Sequence, residues 1–138
     1  MADKLKFELV SPERVLASLE ADMVVVPGGE GHFGVQPEHA PFMSTVRPGV
    51  IDVHDGGRIT ERIFVEGGFA EVNPEGLIVL AEAAVPLGEL DAEEARRRLQ
   101  NAREDLTENG VDSIARTRLE RLVAIAEARV EAAESPRT

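Results

Sequence analysis

The sequence predicts an all-β unit, a sandwich or a barrel, followed by two antiparallel helices. Three observations carry that prediction. Ten of the 12 glycines, seven of the eight prolines and all five phenylalanines lie before Leu87. Residues 87–138 instead hold nine alanines and nine arginines, with no lysine and no aromatic side chain. Apolar residues alternate every second position in the first part and recur at helical spacing in the second. The switch falls at Pro86-Leu87-Gly88 and predicts two units, residues 1–87 and 88–138, joined at a short hinge.

The first strand is the plainest. Leu5, Phe7 and Leu9 alternate with Lys4, Lys6 and Glu8, the pattern of a strand with one buried and one wet face. Further apolar stretches follow at Val15–Leu19, Met23–Val26, Val50–Val53, Ile59–Val65, Phe69–Val72 and Leu77–Leu80. Turn residues separate them: Ser11-Pro12, Pro27-Gly28-Gly29, Pro48-Gly49, Asp55-Gly56-Gly57, Gly67-Gly68 and Pro74-Glu75-Gly76. Asp55-Gly56-Gly57 is a hairpin signal, because a tight hairpin turn needs positive φ and glycine adopts it freely. Strands about ten residues apart, with turns between them, point away from βαβ units.

In the second part Asp91 caps a helix, with Glu94 three residues on as in a capping box. Ala95, Leu99, Ala102 and Leu106 form its apolar stripe, and Glu93–Arg97 and Glu94–Arg98 are spaced for favourable ion pairs. Asn109-Gly110 ends it, with Gly110 expected in the left-handed conformation. Asp112 caps a second helix whose stripe is Ala115, Leu119, Leu122, Ala126, Val130 and Ala133. Both stripes are thin and rich in alanine, so the hairpin is expected to dock on something else or to move. Arg96-Arg97-Arg98 is expected to scatter around its helix, since neighbouring positions point roughly 100° apart.

Composition narrows the function. Leu, Ile, Val and Phe make up 39 of 138 residues, enough for a core and too many for a disordered chain. No cysteine is present, which removes disulfides, thiolate nucleophiles and cysteine-based zinc sites. Apolar runs such as Leu77–Ala81 stop at five residues, far short of a membrane helix, and the charged start Met-Ala-Asp-Lys-Leu-Lys does not read as a signal peptide. These features suggest an intracellular chain. The formal net charge is −11, of which −8 falls in residues 1–86 and −3 in residues 87–138. Such a surface repels nucleic-acid phosphates and anionic lipid, and without Trp or Tyr there is little to stack bases on.

Motifs for catalysis or cofactors are weak. Gly29-Glu30-Gly31-His32-Phe33-Gly34 fits G-x-G-x-x-G, but Pro37, Pro41 and Pro48 forbid the helix that a dinucleotide fold needs there. His32, His39 and His54 have no metal-ligand spacing and read as surface or turn residues. His39, in Pro37-Glu38-His39-Ala40-Pro41, is placed to bond nearby backbone. The 26 carboxylates read as a solvated acidic surface, and no nucleophile motif is present. No catalytic residue, metal ligand or cofactor is expected.

The segment Val26-Pro27-Gly28-Gly29-Glu30-Gly31-His32-Phe33-Gly34-Val35-Gln36-Pro37-Glu38-His39-Ala40-Pro41-Phe42-Met43 resembles the signature of the epsilon-subunit family of F-type ATP synthases. Arg47-Pro48-Gly49, Phe64-Val65-Glu66-Gly67-Gly68-Phe69 and Leu80-Ala81-Glu82-Ala83-Ala84 extend the resemblance. It implies a β-sandwich of about ten short strands followed by a C-terminal antiparallel α-helical hairpin that is mobile and regulatory. It further implies a non-catalytic rotor subunit of the central stalk, coupling rotation of the c ring to the catalytic head through the gamma subunit. On that resemblance Gly28, Gly29, Glu30, Gly31, His32 and Phe33 face the c ring, with His32 where relatives can carry an acid. His39, Phe42, Met43, Ser44 and Thr45 face gamma. The hairpin, if extended, reaches the alpha and beta subunits and inhibits ATP hydrolysis. Membrane association is then peripheral and through partners, on the cytoplasmic face of the inner membrane or its organelle equivalent. Some members bind ATP through an Ile/Leu-Asp-x-x-Arg-Ala motif. Here Leu90-Asp91-Ala92-Glu93-Glu94-Ala95 keeps Asp91 and Ala95 as candidate nucleotide contacts but puts Glu94 where the arginine belongs. A nucleotide-binding regulatory module and a standalone sandwich adaptor are the alternatives.

Overall fold

The computed structural model describes residues 4–110 and 112–135. The chain divides into two compact units, with the division after Pro86. The first unit holds ten strands: β1 (Leu5–Val10), β2 (Val15–Ala21), β3 (Met23–Gly28), β4 (Gly31–Val35), β5 (Phe42–Val46), β6 (Gly49–Asp55), β7 (Arg58–Val65), β8 (Gly68–Asn73), β9 (Gly76–Ala81) and β10 (Ala84–Pro86). They run in the order β10-β7-β6-β3-β5-β8-β9-β1-β2, with β4 on the other edge of β3. The link between β3 and β5 is the single pair Gly28–Val46. The strands therefore form two five-stranded sheets joined at one corner, a sandwich. Every pairing is antiparallel except β1 with β9, which is parallel.

Alternation decides which side chains fill the space between the sheets. Leu5, Phe7 and Leu9 of β1 are buried together with Val24 and Val26 of β3, Ile51 and Val53 of β6, and Leu77 and Val79 of β9. The stretches expected to be strands are strands. β4, β5 and β10 lie outside those stretches; each is short, glycine interrupts the apolar pattern of β4, polar Ser44 and Thr45 interrupt that of β5, and β10 ends in proline. The β6–β7 turn is Gly56-Gly57, with φ of 63° and 79°, so both central residues take the left-handed conformation expected of this hairpin. At the sandwich edge Lys4 Nζ donates to Asp22 Oδ1 at 2.9 Å and to Asp55, while the Gly56 N–H donates to Asp22 Oδ2 at 2.8 Å. This network ties the start of β1 to two turns. The two hydrogen bonds hold the ammonium on Lys4, raising its pKa to about 12, and the same contacts push Asp22 below the usual carboxylate range.

The second unit opens with a 3-10 turn, Leu87–Glu89, followed by α1 (Ala92–Asn109) and α2 (Ser113–Glu134). Asp91 caps α1 by accepting the N–H groups of Glu93 and Glu94, and Asp112 caps α2 through Ala115 N–H at 2.8 Å. The Glu94 carboxylate is engaged by Arg98 at 2.8 Å; among the described residues Glu93 and Arg97 form no ion pair. Arg96 reaches Glu134 at 2.7 Å and Arg103 reaches Glu127 at 3.3 Å, so α1 and α2 run antiparallel with ionic rungs one heptad apart. The three consecutive arginines are dispersed as expected.

Two details differ from the sequence reading. Gly110 has φ −87°, not a left-handed value. Glycine is needed for room instead, because a Cβ there would lie 2.5 Å from the Leu106 carbonyl oxygen. Leu122 is 47% exposed, while Leu119, Ala126 and Ala133 are buried and Val123 is half-buried. At 100° per residue Leu122 falls about 60° to one side of Leu119 and Val123 about 40° to the other. The seam therefore passes through Val123.

Candidate docking surfaces

The glycine-rich segment is a hairpin tip. β3 and β4 pair from Val24–Val35 to Gly28–Gly31, leaving Gly29 and Glu30 as the turn. No helix follows Gly34, so the G-x-G-x-x-G match has a β-hairpin beneath it and no dinucleotide cradle. The tip is built to exclude side chains. A Cβ on Gly28 would stand 2.7 Å from the Gly31 carbonyl oxygen, and one on Gly29 would stand 2.3 Å from Thr45 Oγ1. The Gly29 N–H donates to the Thr45 carbonyl at 3.0 Å, and the Arg47 N–H to that of Pro27 at 2.9 Å, anchoring the tip to the second sheet. Phe33 meets Phe42 edge to face with ring centroids 5.2 Å apart. Arg47 Nη2 donates to His32 Nδ1 at 3.2 Å.

The five residues assigned to the gamma-facing side do not share one face. His39 sits in the turn between β4 and β5, its ring N–H donating to the Ala40 carbonyl at 2.7 Å and its ring lying 6.5 Å from Phe42. Phe42 and Ser44 pair with Val72 and Ala70, whose side chains are buried, whereas Met43 and Thr45 pair with Glu71 and Phe69 on the outer face. The outer face is where an unforeseen feature lies. Register places Thr45, Phe69, Leu80, Val10 and Val15 side by side across β5, β8, β9, β1 and β2. Phe69 is 58% exposed, Leu80 and Val15 are similarly open, and Met43, two residues from Thr45, is 70% exposed. Four strands at about 4.8 Å give an apolar row about 14 Å wide from Phe69 to Val15, with Thr45 at its end. Glu71 and Glu8 flank it one residue pair away. The signal in sequence was parity alone: Phe69 and Leu80 occupy the opposite phase from buried Ala70 and Val79.

Asp91 and Ala95, the candidate nucleotide contacts, are occupied locally. Asp91 caps α1 and Ala95 is buried. His32, His39 and His54 lie on separate elements, and among the described residues no three metal-ligating side chains are gathered.

Residues 4–87 match the family described as ATP synthase, Delta/Epsilon chain, beta-sandwich domain. The chain belongs to the ATP synthase delta/epsilon family. It is 54% identical over 128 residues to the ATP synthase epsilon chain of Paramagnetospirillum magneticum, covering 93% of this chain and 96% of that one. The epsilon chain of Maricaulis maris is 58% identical over 107 residues, covering 78% and 80%. These relatives are non-catalytic subunits of an enzyme complex. Among solved structures, a chain of the Euglena gracilis mitochondrial ATP synthase OSCP/F1/c-ring assembly superposes with a TM-score of 0.77 at 24% identity, covering 91% of this chain and 79% of that one. A chain of the Tetrahymena thermophila mitochondrial ATP synthase central stalk and c-ring gives 0.64 at 13% identity, covering 94% and 96%. Both share the family's sandwich-and-hairpin fold.

Proposed function

We propose that this chain is the epsilon-type subunit of an ATP synthase rotor, a non-catalytic part of the central stalk that links the c ring to gamma. The observation that carries the reading is the division of the sandwich surface into two docking regions of different character. The exposed apolar row Phe69–Leu80–Val10–Val15 is the kind of surface a permanent partner covers, since a soluble domain seldom leaves such a patch open. We assign gamma to it. The β3–β4 tip, polar and held to both sheets, is assigned to the c ring. Membrane association is peripheral: no described helix is long and apolar enough to cross a bilayer. The face on the membrane would be the cytoplasmic one, or its organelle equivalent.

The test is size-exclusion co-elution of the purified chain with gamma from the same organism. A stable one-to-one complex is expected, and separate elution at micromolar concentration would overturn the assignment.

A second reading concerns the hairpin and rests on α2. Ile114, Arg118, Arg121 and Ile125 lie within about 60° of one another on the helix, and Glu120, Glu127 and Glu131 fall elsewhere around it. An apolar, arginine-bearing face suits an acidic surface on the alpha and beta subunits, which supports an inhibitory role for an extended hairpin. ATP hydrolysis by the reconstituted head should then rise when residues 88–138 are deleted. Nucleotide binding by the hairpin is disfavoured, because Glu94 is paired with Arg98 where a phosphate partner would be needed.

A further inference from the structure

The assignment of the β3–β4 tip to the ring has a chemical consequence at its flank, and the inference below rests on that assignment. His32 on β4 pairs across the ladder with Pro27 of β3, and the backbone of Arg47 bonds to the carbonyl of the same Pro27. Two exposed side chains are thereby brought together over one residue, and Arg47 Nη2 donates to His32 Nδ1. A guanidinium has five N–H donors and no acceptor. The contact therefore requires Nδ1 to be bare, which puts the neutral imidazole's proton on Nε2. What this flank offers outward is donors alone: the Nε2–H of His32 and the remaining N–H groups of Arg47. Among the described residues neither makes an ion pair, in a unit whose net charge is −8.

We propose that Arg47 and His32 form a carboxylate-binding notch, and that the surface on which this tip docks presents an Asp or Glu side chain to it. A carboxylate matches a guanidinium in shape and charge, and it accepts from the imidazole N–H with its second oxygen.

The experiment measures affinity of the full chain, in complex with gamma, for the detergent-solubilised c ring of the same organism at pH 8. Arg47→Gln should weaken binding about tenfold or more, as expected when a charge-assisted bond is lost. His32→Phe, which removes the ring N–H, should weaken it by a smaller factor, and His32→Gln, which keeps a donor, should retain most of the affinity. Ring affinity unchanged in both Arg47→Gln and His32→Phe would overturn the notch. If Gly31→Val still weakened ring binding in that case, the tip assignment would stand without it. Absence of any ring affinity in wild type would remove both. In the free chain, nitrogen NMR of His32 should report the Nε2–H form at pH 8, and the Nδ1–H form would also overturn the proposal.

Discussion

Replacing Phe69 with Thr tests the apolar row directly. Phe69 is 58% exposed on β8, so most of its ring is still open to water in the isolated chain. A phenylalanine contributes roughly 200 Å² when fully buried. Covering the exposed share would remove about 115 Å² from water, worth about 3 kcal/mol at ~25 cal/mol/Å². Threonine keeps part of that contact and keeps the β-branched shape a strand favours, so about 2 kcal/mol should be lost from binding, roughly 30-fold in Kd. Folding stability should move by no more than about 0.5 kcal/mol, because the core partners Ala70 and Val72 are untouched. Titration calorimetry with gamma reads the first quantity and thermal melting reads the second. Unchanged gamma affinity in a normally folded variant would refute the assignment of this face. Leu80→Thr should act in the same direction but less than additively with Phe69→Thr, since the two residues are register partners.

Deleting residues 88–138 should leave a β protein that melts in one cooperative step, because all ten strands and their shared core lie in residues 4–86; a broad transition would refute the two-unit reading. Gly31→Val should weaken ring docking while sparing gamma binding: Gly31 has φ 137°, where side chains are strained by about 1–3 kcal/mol, yet no atom lies within 4 Å of the added Cβ. Equal ring affinity for Gly31→Val and wild type would count against the tip. Lys4→Met should lower stability at pH 7, and the gap should depend on pH at both ends. Lys4 has its pKa raised to about 12 in the fold, so its contribution is present below pH 10.5 and is lost as pH rises through 12. Asp22 is lowered, so its contribution is present above pH 3.8 and is lost as pH falls below that. Urea midpoints should therefore differ less at pH 2.5 than at pH 7, and an undiminished gap would dismiss the network.

What could be read from the chain follows from which interactions are local. Leu5, Phe7 and Leu9 declare their buried face by alternation alone, and Asp55-Gly56-Gly57 declares its turn because positive φ is a property of single residues. Asp91 and Asp112 likewise announce helix starts whose caps close within three residues. Strand β4 escaped because Gly31 and Gly34 have no side chain to alternate, and β5 because its outer residues Met43 and Thr45 do not contrast sharply with its inner ones. The glycine-rich tip was legible as a loop, but its tie to Thr45 and Arg47 depends on contacts 15 to 20 residues away in sequence. The row of Phe69, Leu80, Val10 and Val15 is assembled by register across four strands, one of them parallel. No window along the chain contains it.

The corner at Gly28 gives the rotor reading a mechanical sense. Among the described residues the one strand pair that joins the two sheets is Gly28–Val46, and the turn Gly29-Glu30 begins at the next residue. A force applied at the tip therefore enters β3 at its junction with β5 and spreads into both sheets at once. The anchoring bonds from Gly29 to Thr45 and from Arg47 to Pro27 lie beside that junction, and the Phe33–Phe42 contact braces it from the strand interior. Glycine is required there for clearance, since a side chain at position 28 would collide with Gly31 and Phe33 of β4 and one at position 29 would push Thr45 and the second sheet away. From β5 the path to the apolar row is one strand, because Thr45 is the register partner of Phe69. The tip proposed for the ring and the face proposed for gamma are thus connected through paired backbone. Antiparallel ladders of this kind resist relative sliding of their strands through every hydrogen bond in register, and a slip of one residue would turn the buried set outward. The helical unit, whose buried positions are mostly alanine, has far less apolar surface holding it in one arrangement. On the rotor reading proposed above, torque transfer would fall to the sandwich and conformational change to the helices.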